Sequence, residues 1–103
     1  MFKVVVFVPE SHLETVKNAL FDAGAGTIGD YDRCSWQSLG VGQFRPLSGS
    51  NPHTGRQGDI ETLAEYRLET VCRDECIRQV ITSMKRAHPY EEPAFDVFKF
   101  AEY

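Results

Sequence analysis

The chain opens on an almost unbroken apolar run, Phe2 to Val8, broken by Lys3 and rich in valine. Such a run reads as a strand central in a sheet or buried on both faces, and Pro9 ends it. Ser11 and Glu14 then stand at capping-box spacing, and Leu13, Val16, Leu20 and Ala23 recur every three or four residues, which predicts a helix with one apolar face. Gly24, Gly26 and Gly29 predict a turn-rich return through Asp32.

From Arg33 to Arg45 the residues Trp36, Leu39, Val41 and Phe44 are spaced among Ser, Gln and Gly, the pattern of a strand whose glycines mark bulges or close backbone approach. Between Leu63 and Cys72 the alternation is cleaner. Ala64, Tyr66, Leu68 and Cys72 fall on one face, and Glu65, Arg67 and Glu69 on the other. A second helix follows, with Asp74 and Glu75 suited to its positive end, Ile77, Val80, Ile81 and Met84 on one stripe, and Lys85 and Arg86 at its negative end. Pro89 and Pro93 prevent its continuation and leave Ala94 to Phe100 as a last strand.

The resulting order, βαββαβ, is the ferredoxin-like α+β arrangement: a four-stranded antiparallel sheet with both helices on one face. Trp36, Tyr66, Phe95 and Phe98 exceed what two short helices can cover. The other face of the sheet is therefore expected to meet further copies of the chain in a homo-oligomer.

Composition narrows the function classes. With 103 residues and 42% hydrophobic content, the chain is read as a single domain over residues 1–103, too small for separate binding and catalytic lobes. The net charge is −4 and only Lys85 and Arg86 are adjacent cations, so the basic stripe of a nucleic-acid partner is missing. No apolar run approaches the ~20 residues of a membrane span, which argues against a membrane partner. Three sparse cysteines, Cys34, Cys72 and Cys76, do not suit a disulfide framework and point to a reducing cytoplasm. They read as small buried hydrophobes rather than as zinc ligands.

Two segments carry candidate chemistry. The stretch Pro46 to Thr62, PLSGSNPHTGRQGDIET, is a long polar, Gly-rich loop between neighbouring strands, and loops above about 12 residues are commonly functional. Arg45 and Asn51 are expected to hold an anionic or nucleotide-like ligand there, with the Gly55 backbone approaching it closely. No phosphate-cradling GxxxxGK[ST] order is present. The second segment, His88-Pro89-Tyr90-Glu91-Glu92-Pro93, sets an imidazole, a phenol and two carboxylates between prolines. His88, Tyr90 and Glu91 are assigned to ligand contact. His88, Glu91 and Glu92 form a second reading, a divalent-metal site, weighed against a plain stiff turn. His12 and His53 are read as solvated surface.

Three phrases taken together resemble a known family: GAGTIGDYDRCSW from Gly24, GVGQFRPLSGSNPHTG from Gly40, and AHPYEEPAFDVF from Ala87. The chain is similar to the CutA-like, PII-like domain of YqfO-type proteins, the Nif-three (Ngg-one-interacting factor) family. In long members of that family the domain lies between two halves of a dinuclear metal-binding protein. Those halves have no counterpart in this sequence, so the resemblance does not carry their hydrolase-like activity with it. It implies a trimer, and a loop between the second and third strands of the kind through which PII proteins bind nucleotide and a partner. CutA proteins are linked to divalent cations, which keeps His88 with Glu91 or Glu92 as a testable metal site. The leading expectation is a non-enzymatic cytoplasmic module that binds a small molecule or protein partner near subunit clefts. No cofactor is assigned beyond that divalent metal. Metal handling comes second, and a remnant hydrolase or a Cys76 thiol catalyst third, for want of a complete nucleophile, base and oxyanion set.

Overall fold

The computed structural model describes all 103 residues. Strand β1 (Phe2–Pro9), helix α1 (Leu13–Asp22), strands β2 (Ser35–Phe44) and β3 (Glu61–Cys72), helix α2 (Ile77–Ala87) and strand β4 (Phe95–Lys99) follow in that order. A 3₁₀ turn leads into each helix, at Glu10–His12 and Asp74–Cys76. The four strands form one sheet in the order β2-β3-β1-β4, and every neighbouring pair is antiparallel. This is the ferredoxin-like α+β fold, and β1 lies inside the sheet, as its valine run requires.

The register decides which side chains share a face. Val4 stands opposite Thr70 and Val97, and Val6 opposite Leu68 and Phe95. These residues, with Val8 and Cys72, face the helices, where Leu13, Val16, Leu20, Val80 and Met84 close the core. Tyr66 and Phe95 pack against that core, so of the four aromatic residues singled out in the sequence only Trp36 and Phe98 lie on the open side of the sheet. The open face also carries Phe7, Phe44, Glu65, Arg67 and Glu69.

β3 outruns β1. Their pairing ends at Pro9 with Glu65, whereas Glu61 to Ala64 pair with Phe44 to Val41 of β2 alone. The hairpin end therefore projects past the body, in a molecule 46 Å long and 25 by 24 Å across. Leu39 and Val41, on the helix side of β2, lie beyond the reach of the helices and are 60% and 81% exposed.

The capping box expected from Ser11 and Glu14 does not form. Ser11 sits inside the 3₁₀ turn, His12 occupies the N-cap without a side-chain cap, and the Ser11 hydroxyl bonds His12 Nδ1 at 2.8 Å. Tightening the entry into a 3₁₀ turn moved the helix start beyond the residue that would have capped it.

Candidate functional site

At the end of the open face, where β1 and β2 run out, the long loop and the turn after α2 enclose a cavity of about 410 Å³. Phe7 and Phe44 come from the sheet, and Arg45 to Leu47 and Pro52 to Thr54 from the loop. Tyr90 to Glu92 and Ala94 come from the turn. Glu65 of β3 completes the wall.

The loop holds itself in shape. Gly58 N–H donates to the Pro46 carbonyl at 2.7 Å, Gln57 Nε2 to the Ser50 carbonyl at 2.8 Å, and Ser50 Oγ to the Leu47 carbonyl at 2.6 Å. One bond ties it to the turn: the Asn51 backbone N–H donates to Glu91 Oε1 at 3.2 Å. Gly55, at φ 91°, takes a left-handed conformation that side chains resist, and a Cβ there would collide with Glu61.

Phe7 joins the parts. Its N–H donates to the Ala94 carbonyl at 3.0 Å, its carbonyl accepts from His88, and the Arg67 guanidinium lies 5.9 Å from its ring centre. His88 is buried, with Nε2 at 2.8 Å from the Phe7 carbonyl and Nδ1 accepting the Tyr90 backbone N–H at 3.2 Å. Acceptance at Nδ1 places the ring proton on Nε2. Burial, with His12 and His53 close by, pushes the His88 pKa below its ordinary value.

Tyr90 is the hub of an aromatic cluster. Its ring centre lies 5.0 Å from that of His88, 6.0 Å from His53 and 6.3 Å from Phe44. His53 in turn meets His12 edge-on at 5.7 Å. Two of the three histidines of the chain thus flank one tyrosine, and the third, His12, reaches it only through His53. The Tyr90 hydroxyl oxygen is buried without a hydrogen-bond partner, and burial together with the charge of Glu65 raises its pKa. Glu65 is itself raised by burial. Its carboxyl lies across Gly42, over the position a Cβ would fill, so the absent side chain of Gly42 gives Glu65 its place.

The sequence-assigned residues divide accordingly. Arg45, Tyr90, Glu91 and Glu92 line the cavity. Asn51 contributes a backbone bond to Glu91 and Gly55 packs on Glu61, both serving the loop's own shape. His88 lies behind Tyr90 with both nitrogens engaged, which takes it out of a metal set with Glu91 and Glu92. No three His, Cys, Asp or Glu side chains converge as a metal site. The solvated-surface reading holds for His53, which is exposed although its ring lies near that of Tyr90, and is corrected for His12, which is half-buried with His53 edge-on against it. The three thiols are free, and Cys72 is buried while Cys34 and Cys76 are partly exposed. Burial, Cys76 and Glu75 push the Cys72 thiol up to about 11, far from a reactive thiolate.

Sequence reasoning missed Phe7, Phe44 and Glu65 as site residues. Their common parity on the open face was visible, but which end of that face the loop would cover was not.

No protein-family model matches the chain. Over 101 residues, 98% of its length, it is 44% identical to a Halalkalibacterium halodurans protein named GTP cyclohydrolase 1 type 2 homolog, of which it covers 27%. The solved structure of the Bacillus cereus protein related to NIF3 superposes with a TM-score of 0.84 at 46% identity, over 98% of this chain and 26% of that one. CutA from Xylella fastidiosa superposes with a TM-score of 0.71 at 20% identity, over 99% of this chain and 85% of that one, and so shares the fold. The chain spans about a quarter of the length of the curated relatives it matches.

Proposed function

Because this chain carries the CutA-like, PII-like domain found in NIF3-related proteins, we propose that it is a non-enzymatic, homo-oligomeric binding module of the cytoplasm, with its ligand held in the cavity beneath the long loop. The observation that carries this reading is the cavity itself. About 410 Å³ suits a metabolite-sized molecule, and its walls are mostly apolar with a few polar groups, the usual make-up of a small-ligand site. Asn51 to Glu91 is the one hydrogen bond from the loop to the turn, beside the packing of His53 on Tyr90, so an occupant that displaces Glu91 loosens the loop. That is the means by which a bound molecule would be reported to a protein partner.

Assembly is supported by β2, a 10-residue edge strand with a free hydrogen-bonding edge, with Leu39 and Val41 exposed on one side and Trp36, 58% exposed, on the other. A long apolar edge of this kind is normally covered. The family resemblance favours three copies.

Size-exclusion chromatography with light scattering tests the assembly, and a clean monomer at micromolar concentration refutes it. Thermal-shift screening of metabolite-sized compounds tests the cavity. Shifts that vanish in Tyr90→Ala support it, and a screen in which every shift survives Tyr90→Ala rules it out.

A further inference from the structure

We infer that the cavity selects an organic cation with a flat apolar body, such as an aromatic or N-alkylated ammonium compound, and disfavours the anion expected from Arg45. The inference rests on the reading of the cavity as a small-ligand site and adds the sign and shape of the occupant.

The charges of the lining carry the first part. Glu65, Glu91 and Glu92 face a single guanidinium, that of Arg45. Arg45 is exposed, and an anion seated on it would share the cavity with all three carboxylates. Glu65 lies deeper. It forms no ion pair, because the nearest cation along its strand, Arg67, pairs with Glu69 at 3.6 Å. A partly desolvated carboxyl without a counter-charge is costly, and a cation beside it offsets that cost.

The walls carry the second part. Phe7, Phe44 and Tyr90 present aromatic rings to the same space, and aromatic faces attract cations and flat apolar groups alike. Tyr90 offers its ring rather than its hydroxyl, which is buried away from the cavity without a partner. Gly42 leaves open the space into which the Glu65 carboxyl folds, so the backbone accommodates this carboxyl where a side chain would displace it.

The test uses three probes of one shape: benzylammonium, benzyl alcohol and benzoate, titrated near neutral pH into the protein while its amide and aromatic NMR signals are followed. The expected order is benzylammonium over benzyl alcohol over benzoate, with shifts at Phe44, Glu65 and Tyr90. Glu65→Gln should weaken benzylammonium by about tenfold and leave benzyl alcohol unchanged, because it removes the charge and keeps the shape. Benzoate binding tighter than benzylammonium overturns the cation while leaving the small-ligand reading standing. Shifts by none of the three at cavity residues overturn both.

Discussion

His88 Nε2 donates to the Phe7 carbonyl at 2.8 Å, joining the turn after α2 to the end of β1 across 81 residues of chain. With Nδ1 accepting from Tyr90 N–H, this one imidazole sets the height of the Tyr90 ring above the sheet, and so fixes one wall of the cavity. The bond makes His88 a positioning residue rather than a ligand.

Replacing it by alanine should cost about 3 kcal/mol, since the Phe7 carbonyl and the Tyr90 N–H both lose their partner in a buried place. The folded pKa of His88 lies below its ordinary 6.5, so the unfolded chain binds the proton more readily. Stability is then fully present above 6.5 and falls as pH drops below it, by up to about 1.4 kcal/mol per pH unit until the folded pKa is reached. Urea unfolding across that range should show the slope in the native protein and a reduced slope in His88→Ala. An identical pH dependence in both would remove His88 as its source.

Gly42→Ala should swing the Glu65 carboxyl out of the cavity, because the new Cβ takes its position. Gly42 is a strand residue with no positive φ, so the backbone tolerates the change and stability should move by no more than about 1 kcal/mol. Thermal unfolding together with benzylammonium titration checks the split: near-native melting with weakened binding. Unchanged binding would show that Glu65 serves the cavity from elsewhere.

Glu91→Ala removes the acceptor of the Asn51 N–H, the bond between loop and turn. Amide hydrogen exchange at Asn51 should accelerate by about tenfold, the worth of one hydrogen bond, while Gly58, bonded to Pro46 within the loop, keeps its protection. Equal acceleration at both amides would mean that the loop opens as one unit.

Leu39→Glu with Val41→Glu should leave the fold intact, because both side chains project beyond the helices into solvent in the single chain. If copies cover this edge, the double variant should elute as a monomer with a native circular-dichroism spectrum. An unaltered assembly would move the interface elsewhere on the sheet.

The order and type of the elements were legible in the residues. The valine run of β1, the alternation of β3 and the apolar stripe of α2 each match one periodicity, and local burial decides each. The loop was legible for the same reason in reverse, since its glycines and polar residues contain no apolar face to pack. Ser11 misled because a capping box is a local preference, which a 3₁₀ entry into α1 overrode.

The contents of the site were legible only in part. Tyr90, Glu91, Glu92 and Arg45 stood out because they lie in compact, unusual segments. The run of ring contacts from His12 through His53 and Tyr90 to His88 depends on the start of α1, the loop and the end of α2 meeting at one corner of the sheet, which no spacing along the chain encodes. The sequence by itself determined the βαββαβ order and the two segments rich in chemistry, because hydrophobic periodicity and proline and glycine geometry act over a few residues. The tertiary structure alone decided that His88 is buried as a strut and that Glu65 folds over Gly42 into the cavity. Burial and charge partners arise between strands and turns far apart in sequence, once the sheet register is set.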